Sequence, residues 1–301
     1  MNPPLRSILR WLAALIATVL VIACDRHEPA DDPIVTHSPA VWEIAGADGA
    51  VEGWLFGTIH ALPADTRWRS DAVREAIAGA DLLLVEIAAL EDSDSIAATF
   101  AFLSHTPGLP PLERRVPPRL HATLATAIAD SPYDAQDFTA LETWAAAIIL
   151  ARTARSSSDP ANGVDKALLR DFARKPIREV EGARTQLGIF DELPEREQRD
   201  LLEATLTELS RDDSERQATT RRWLSGDIEG LLDPEAETLL SDPELREALV
   251  EGRNRAWLPV LTAQLEQAPR PLIAVGAGHM GGPEGLPPLL RRAGYTVTRI
   301  D

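Results

Sequence analysis

Cysteine and positive charge are what this sequence has least of. Cys24 is the single cysteine among 301 residues, so no disulfide can form within the chain, whatever its compartment. Lysine and arginine together number 30 against 47 aspartates and glutamates, which gives a net charge of −17 at pH 7. Because such an acidic chain repels a phosphate backbone, nucleic acid is not an expected partner.

Two common catalytic motifs are also missing. There is no H-E-x-x-H stretch, so the zincin arrangement of two histidines on one helix is excluded as an inference from sequence. There is no G-x-S-x-G stretch either, and no Ser-His-Asp set stands out. Candidate residues for chemistry must be sought elsewhere in the chain.

The N-terminal region lacks an apolar run long enough for a comfortable membrane span. Residues 11–23 are apolar and follow Arg6 and Arg10, which predicts a signal peptide over residues 1–23. The run ends in V-I-A-C, similar to the lipobox of bacterial lipoproteins, so Cys24 is expected to carry a lipid anchor. Plain cleavage and an uncleaved anchor are the alternatives. The expected location is the cell envelope, attached to a membrane and facing the periplasm or the exterior.

The remaining residues divide into a tether and one folded domain. Residues 24–40 are polar, contain prolines and have no periodicity, which indicates a flexible tether. Residues 41–301 alternate short apolar runs with amphipathic helical segments, a pattern typical of one α/β domain. We therefore expect a central mixed, mostly parallel sheet with helices around it and large helical insertions.

Titratable residues stand at the ends of four predicted strands. W-L-F-G-T-I-H ends at His60, L-L-L-V-E-I has Glu86 near its end, P-I-R-E-V-E ends at Glu181, and L-I-A-V-G-A-G-H ends at His279. Ligands of open α/β sheets bind beyond the carboxyl ends of the strands, so these four residues are expected to converge. Each histidine follows a glycine by three positions, where the absence of a side chain would let the imidazole point back into the crevice.

Glu86 provides the strongest single argument, because an ionised carboxylate within an apolar strand must be compensated. An arginine could supply the compensating charge; a metal ion or a catalytic role is the alternative. Imidazoles with one or two carboxylates suit a divalent transition metal such as manganese, cobalt or zinc, and the predicted ligands are His60, Glu86, His279 and Glu181. The same residues also allow a metal-free reaction in which a histidine is the general base and a glutamate orients it.

Several stretches occur in the order found in one protein family. L-F-G-T-I-H-A-L-P, L-L-L-V-E-I, R-N-R-A-W-L-P-V-L and the closing A-V-G-A-G-H-M-G-G resemble the TraB/GumN family, which is related to the Tiki metalloproteases. The resemblance covers about residues 40 to 301. It implies an active-site signature carried by His60, Glu86 and His279, and a metal-dependent protease that uses manganese or cobalt.

The resemblance also assigns residues outside this signature. Arg253 and Asn254 match the family's arginine–asparagine pair and are expected near the site as catalytic residues, in contact with the oxyanion or the substrate. Asp165 matches the family's G-V-D position, and Glu181 falls where the family also has a glutamate.

Three functional hypotheses follow. The first is a lipid-anchored, metal-dependent hydrolase, most simply a peptidase, that acts on a peptide or protein outside the cytoplasm. The second is a non-catalytic lipoprotein that uses the same crevice to bind a peptide, a haem or another small ligand. The third is a metal-free, esterase-type hydrolase with His60 or His279 as general base.

Overall fold

The computed structural model describes residues 38–90, 92–153, 158–211, 213–233 and 239–300. The predicted signal peptide, the predicted lipid attachment at Cys24 and residues 25–37 of the predicted tether lie outside these ranges. Within the described ranges, no helix combines the length and the apolar composition needed to cross a bilayer.

A six-stranded sheet lies at the centre of the described chain. The strands are β1 (Val41–Ala45), β2 (Val51–Thr58), β3 (Leu62–Pro63), β4 (Leu82–Val85), β5 (Ser158–Asp159), β6 (Ile177–Glu179), β7 (Pro271–Gly276) and β8 (Thr296–Arg299). The order across the sheet is β6-β4-β7-β2-β1-β8, and β3 pairs separately with β5. The first four strands of this order are parallel, and β1 is antiparallel to β2 and β8. The predicted mixed, mostly parallel α/β sheet is therefore confirmed.

Helices surround the sheet. The α-helices are α1 (Asp71–Gly79), α2 (Ser93–Leu103), α3 (His121–Asp130), α4 (Thr143–Ala151), α5 (Val164–Asp171), α6 (Ala183–Asp191), α7 (Glu195–Ser210), α8 (Asp213–Leu224), α9 (Ile228–Leu231), α10 (Pro243–Arg246), α11 (Gly252–Leu265) and α12 (Leu286–Arg292). Short 3₁₀ turns span Leu112–Arg115, Pro118–Leu120, Asp137–Ala140, Pro160–Asn162, Leu239–Ser241 and Ala277–Met280, and Glu247–Glu251 forms a π-helical turn before α11.

A tight hairpin joins β1 to β2 at the Asp48-Gly49 pair. Gly49 has φ of +80°, in the left-handed region that glycine adopts without a steric penalty. The amide of Gly46 donates to the carbonyl of Ala50 at 2.9 Å, and Asp48 Oδ1 accepts from the amide of Ala50 at 2.9 Å. These bonds set the antiparallel register that places β2 inside the sheet.

The inner strands are apolar because both of their faces are covered. Every residue of β4 and of β7 is buried, which explains their continuous apolar runs. Trp223 and Trp257, which lie on α8 and α11, are 1% and 3% exposed within the same core.

A second apolar cluster holds the helical insertions together. Every residue of α4 is buried, and the Trp144 ring stacks on Phe190 and meets Phe100 edge-on. Leu169 of α5 packs against both clusters. The large helical insertions predicted from the alanine-rich stretches are therefore built on a core of their own, which adjoins the core of the sheet.

All four predicted strands end earlier than expected, since β4 also stops at Val85, before Glu86 and Ile87. β2 stops at Thr58 and β6 at Glu179, so His60 and Glu181 each lie two residues beyond their strands. β7 stops at Gly276, and His279 lies in the 3₁₀ turn Ala277–Met280. For β2 and β7 the physical reason is that their ladder ends where Thr58 pairs with Gly276, and both segments then leave the sheet. Glu86 alone directly follows its strand, β4.

Candidate active site

Three predicted residues meet above the end of β7. The position that a Cβ on Gly276 would occupy lies 3.4 Å from Glu86 Oε1, 3.7 Å from His279 Cδ2 and 3.8 Å from His60 Nε2. The structure thus brings together the carboxyl ends of β2, β4 and β7, as the sheet topology predicts. A side chain at residue 276 would occupy the space between these groups. This explains why glycine suits the position.

His60 is held by a buried carboxylate. Its Nδ1 donates to Asp165 Oδ2 at 2.6 Å, and the hydroxyl of Thr58 donates to Asp165 Oδ1 at 2.7 Å. Burial by itself lowers the pKa of His60, but the Asp165 carboxylate, followed by Glu86, outweighs burial and the pKa is raised. The hydrogen bond at Nδ1 leaves Nε2 as the atom that faces the cluster.

Backbone contacts lock the His60 segment to the segment of Asp165. The amide of Val164 donates to the carbonyl of Ile59 at 2.9 Å, and Asn162 Nδ2 donates to the carbonyl of Leu62 at 3.3 Å. Gly163 approaches so closely that a Cβ there would lie 2.2 Å from the carbonyl oxygen of His60. Together with the β3–β5 pair, these contacts fix His60 and Asp165 relative to each other.

Glu86 is ionised and fully engaged. Its Oε2 accepts from Arg253 Nη2 at 2.6 Å and from Gln186 Nε2 at 3.2 Å, and its Oε1 accepts from the amide of Gly276 at 2.8 Å. Burial by itself raises the pKa of Glu86, but Arg253, then the two histidines and the Gly276 N–H, lower it to about 2. The compensation expected for this carboxylate is supplied by an arginine, one of the alternatives that the sequence left open.

Arg253 directs each of its five N–H groups to an acceptor. Nη2 donates to Glu86 and to Glu181 Oε2, Nε also donates to Glu181 Oε2, and Nη1 donates to the carbonyl of Leu249 and to His279 Nε2. Burial by itself lowers the pKa of Arg253, but the two carboxylates outweigh burial and the pKa is raised. The pKa of Glu181 is also raised, because burial outweighs the opposite effect of Arg253. All five N–H donors of Arg253 are thus engaged by neighbouring groups of the protein.

His279 is buried, with 1% of its side chain exposed, and its tautomer follows from its neighbours. Asn254 Nδ2 donates to the carbonyls of His279 and Glu284, which turns Asn254 Oδ1 towards His279 Nδ1 at 2.6 Å. Nδ1 therefore carries the proton, and Nε2 accepts from Arg253 at 3.3 Å. Burial, followed by the charge of Arg253, lowers the pKa of His279 to about 3, so the imidazole is neutral at pH 7.

The donors of this cluster suit a transition metal in type, and an arginine side chain lies among them. An oxygen atom holds Nδ1 of both histidines, as in many histidine metal ligands. However, the guanidinium of Arg253 contacts three of the four predicted ligands, namely Glu86, Glu181 and His279. Among the described residues, no group of three or more His, Cys, Asp or Glu side chains is placed to hold a metal ion.

Two pockets border the cluster. The first is lined by His60, Val85, Glu86, Ile87, Leu90, Asp165 and Gln186. The second is lined by Thr58, Ile59, His60, Thr219, Trp223, Leu231, Leu240, Gly276, Ala277 and Gly278. His60 is the residue that they share, whereas Glu181, Arg253, Asn254 and His279 line neither pocket and lie behind the groups that do.

Three residues of the cluster were not among the predicted site residues. Asp165 contacts His60, Thr58 contacts Asp165, and Gln186 contacts Glu86. Asp165 was noted only as a position of the G-V-D motif. A buried aspartate in the first turn of α5 is the signal that could have identified it, because a carboxylate there needs a partner. Thr58 and Gln186 carry no such signal in the sequence.

Comparison with known proteins identifies a family but no individual relative. No curated protein and no solved structure matches the chain. The pattern of the TraB/PrgY/gumN family, by contrast, matches residues 40–299, a stretch that contains every residue of the cluster. The chain belongs to the TraB/PrgY/gumN family.

Proposed function

We propose that this protein is a hydrolase in which His60 activates a water molecule. The observation that carries the proposal is the His60–Asp165 pair, in which a buried carboxylate holds Nδ1 at 2.6 Å and turns Nε2 towards Glu86 and two pockets. A histidine oriented by a carboxylate beside a cleft is a general base in many hydrolases. The described pocket linings contain no serine or cysteine, and the hydroxyl of Thr58 is engaged with Asp165, so we take water as the nucleophile.

The proton inventory of this reaction is simple. Neutral His60 accepts a proton from water at Nε2 while the water oxygen attacks the carbonyl carbon of the substrate. Asp165 stabilises the imidazolium that forms, and ionised Glu86 adds a second negative charge nearby. The imidazolium then returns the proton to the leaving group, which restores neutral His60. His279 is not the base, because its Nε2 accepts from Arg253 and it lines neither pocket.

The substrate class and the location are proposed on the resemblance and the N-terminal sequence. We propose a peptide or protein substrate, a lipid anchor at Cys24, and attachment to a membrane of the cell envelope with the folded domain facing the periplasm or the exterior.

A metal-dependent form of the same hydrolase is the second candidate. The observation in its favour is that an oxygen holds Nδ1 of both histidines, so both Nε2 atoms belong to the cluster. His60, Glu86 and His279 would hold manganese, cobalt or zinc once Arg253 moved away. The metal would polarise the substrate carbonyl and lower the pKa of a bound water.

The deciding experiment is cleavage of a synthetic peptide library by the full-length chain, followed by mass spectrometry. We expect cleavage that His60→Asn abolishes and that Asp165→Asn lowers by about 10²-fold or more, since the imidazole loses its orientation. His121→Asn is the matched control, because His121 lies on α3 and lines neither pocket. If no peptide is cleaved, the hydrolase proposal fails and a non-catalytic binding role takes its place.

Chelation separates the two candidates. Activity that survives a chelator, in protein without a bound transition metal, supports His60 as the base. One bound metal per chain, lost in His60→Ala, Glu86→Ala and His279→Ala alike, supports the metal-dependent form instead.

A further inference from the structure

We infer that the two pockets beside His60 are subsites for apolar side chains on the two sides of the cleaved bond. The substrate is then a peptide in which apolar residues flank the cleavage point. This inference rests on the proposed function, since it takes His60 as the residue at which the bond is broken.

The positions of the two pockets along the sheet edge allow one extended peptide to reach both. The smaller pocket lies at the end of β4, with Val85, Glu86 and Ile87 in its wall. The larger pocket lies at the ends of β2 and β7, with Thr58 and Gly276 in its wall. Since β7 separates β4 from β2, the two ends are about 10 Å apart, which is the length of about three extended residues. A short extended peptide laid across the strand ends therefore reaches both pockets and passes His60 between them.

Apolar side chains line parts of both pockets. Leu90 and Ile87 line the smaller pocket, while Trp223, Leu231 and Leu240 line the larger one. These groups gain from contact with apolar side chains and offer few hydrogen bonds to polar ones.

The charge of the cluster excludes one class of side chain. The side chains of Glu86 and Asp165 both line the smaller pocket. An acidic side chain there would face two carboxyl groups in a partly buried place, and Arg253, the arginine that contacts Glu86, is engaged with Glu86 and Glu181. Acidic side chains are therefore the poorest fit beside the cleaved bond.

The residues found at cleaved bonds test this inference directly. From an equimolar library, we expect leucine, isoleucine, valine, phenylalanine and methionine to be enriched on both sides of the cleaved bond. Cleavage beside serine, glycine or acidic residues as often as their share of the library would overturn the inference and leave the proposed function intact.

A matched pair of variants assigns the larger pocket. Thr219→Phe places a ring in that pocket, so we expect large residues to be lost from one side of the cleaved bond and kept on the other. Thr126→Phe makes the same change on the exposed face of α3, away from both pockets, and should leave the preference unchanged. An unchanged preference in Thr219→Phe would contradict the assignment.

Binding decides the matter if no peptide is cleaved. Calorimetry with the full-length chain compares acetyl-Leu-Leu-Leu-amide with acetyl-Ser-Ser-Ser-amide. We expect the leucine peptide to bind about tenfold tighter or more, from burial of its side chains, and Thr219→Phe but not Thr126→Phe to remove the difference. Equal affinity for the two peptides would overturn the subsites independently of any catalysis.

Discussion

Arg253 joins two carboxylates from different segments, and its removal leaves both buried without a cation. Glu86 follows β4 and Glu181 follows β6, and the side chains of both are largely buried. A buried ion pair contributes little net stability compared with an apolar replacement, but an uncompensated buried charge is strongly unfavourable. The large effects of substitution in this cluster should therefore come from broken pairs.

The first prediction concerns Arg253→Ala. We expect it to lower the free energy of unfolding by about 3–5 kcal/mol, because Glu86 and Glu181 lose their partner. Urea denaturation provides the measurement. Arg255→Ala on the same helix is the control and should cost far less, since the ion pairs of Arg255 are exposed. Equal losses in the two variants would contradict a structural role for the Arg253 pairs.

The second prediction concerns pH and His279. The pKa of His279 falls to about 3 in the folded chain from an ordinary value near 6.5, so the unfolded chain binds the extra proton in between. The stabilisation by neutral His279 is complete above pH 6.5 and is lost as the pH falls towards 3. The pKa of His60 is raised instead, so its contribution to stability has the opposite sign: it is complete well below pH 6.5 and is lost as the pH rises through the folded pKa.

We therefore expect the metal-free chain to lose about 1 kcal/mol of stability between about pH 6 and pH 5, measured by urea denaturation with a chelator present. His279→Asn should show a smaller loss over the same interval. The same slope in the variant and in the parent chain would assign the effect to other groups.

At the scale of elements, one helix positions the buried half of the site. α11 places Arg253, Asn254 and Trp257 on one face, where the Trp257 ring lies 4.5 Å from the His279 ring and 4.6 Å from the Arg253 guanidinium. The π-helical turn Glu247–Glu251 precedes α11, and the carbonyl of Leu249 within it accepts from Arg253. Such turns are frequent at functional sites because they change the facing of the residues that follow.

The third prediction concerns the contact between the His60 segment and α5. Gly163→Ala places a Cβ 2.2 Å from the carbonyl oxygen of His60, so one of the two segments must move. We expect a loss of hydrolytic activity of about tenfold or more, since small displacements of catalytic groups have effects of that size. Gly188→Ala in α6 meets nothing within 4 Å and should stabilise the chain slightly without changing activity. Full activity in Gly163→Ala would argue against a fixed His60–Asp165 pair.

Sequence reasoning worked where the signal is local and failed where it is long-range. The apolar runs of β4 and β7, the Asp48-Gly49 hairpin and the serine cap of α1 at Ser70 could be read from neighbouring residues. The pairing of Arg253 with Glu86 spans 167 positions, and that of His60 with Asp165 spans 105. With so many arginines in the chain, no local pattern singles out the one that reaches Glu86. The sequence predicted that the strand-end residues converge only through the general rule that sites of α/β sheets lie at the carboxyl ends of the strands.

At the scale of the whole molecule, the net charge of −17 is the dominant property. Most of the ion pairs in the described ranges involve exposed side chains, such as Arg74–Asp71 and Arg292–Glu284, and each contributes little. Repulsion among the unbalanced carboxylates opposes the compact state, and dissolved salt screens it.

The fourth prediction is that salt stabilises the fold. Raising sodium chloride from about 0.05 M to about 0.5 M should increase Tm by a few degrees, because the Debye length falls well below the spacing of surface charges. Calorimetry measures the shift, and choline chloride at equal ionic strength controls for binding of sodium. A fall in Tm would show that attractive pairs outweigh the net repulsion.

The β2–β7 ladder determines when the cluster can form during synthesis. β2 pairs with a strand that begins at residue 271, so for most of the time on the ribosome it has no parallel neighbour on that side. Until that last part emerges, the nascent chain also lacks His279 and the Gly276 amide that binds Glu86. A chain interrupted before this point carries no complete site, however well its helices have folded. The cluster is thus completed only late in synthesis, after β7 and the Ala277–Met280 turn have emerged and shortly before α12 and β8.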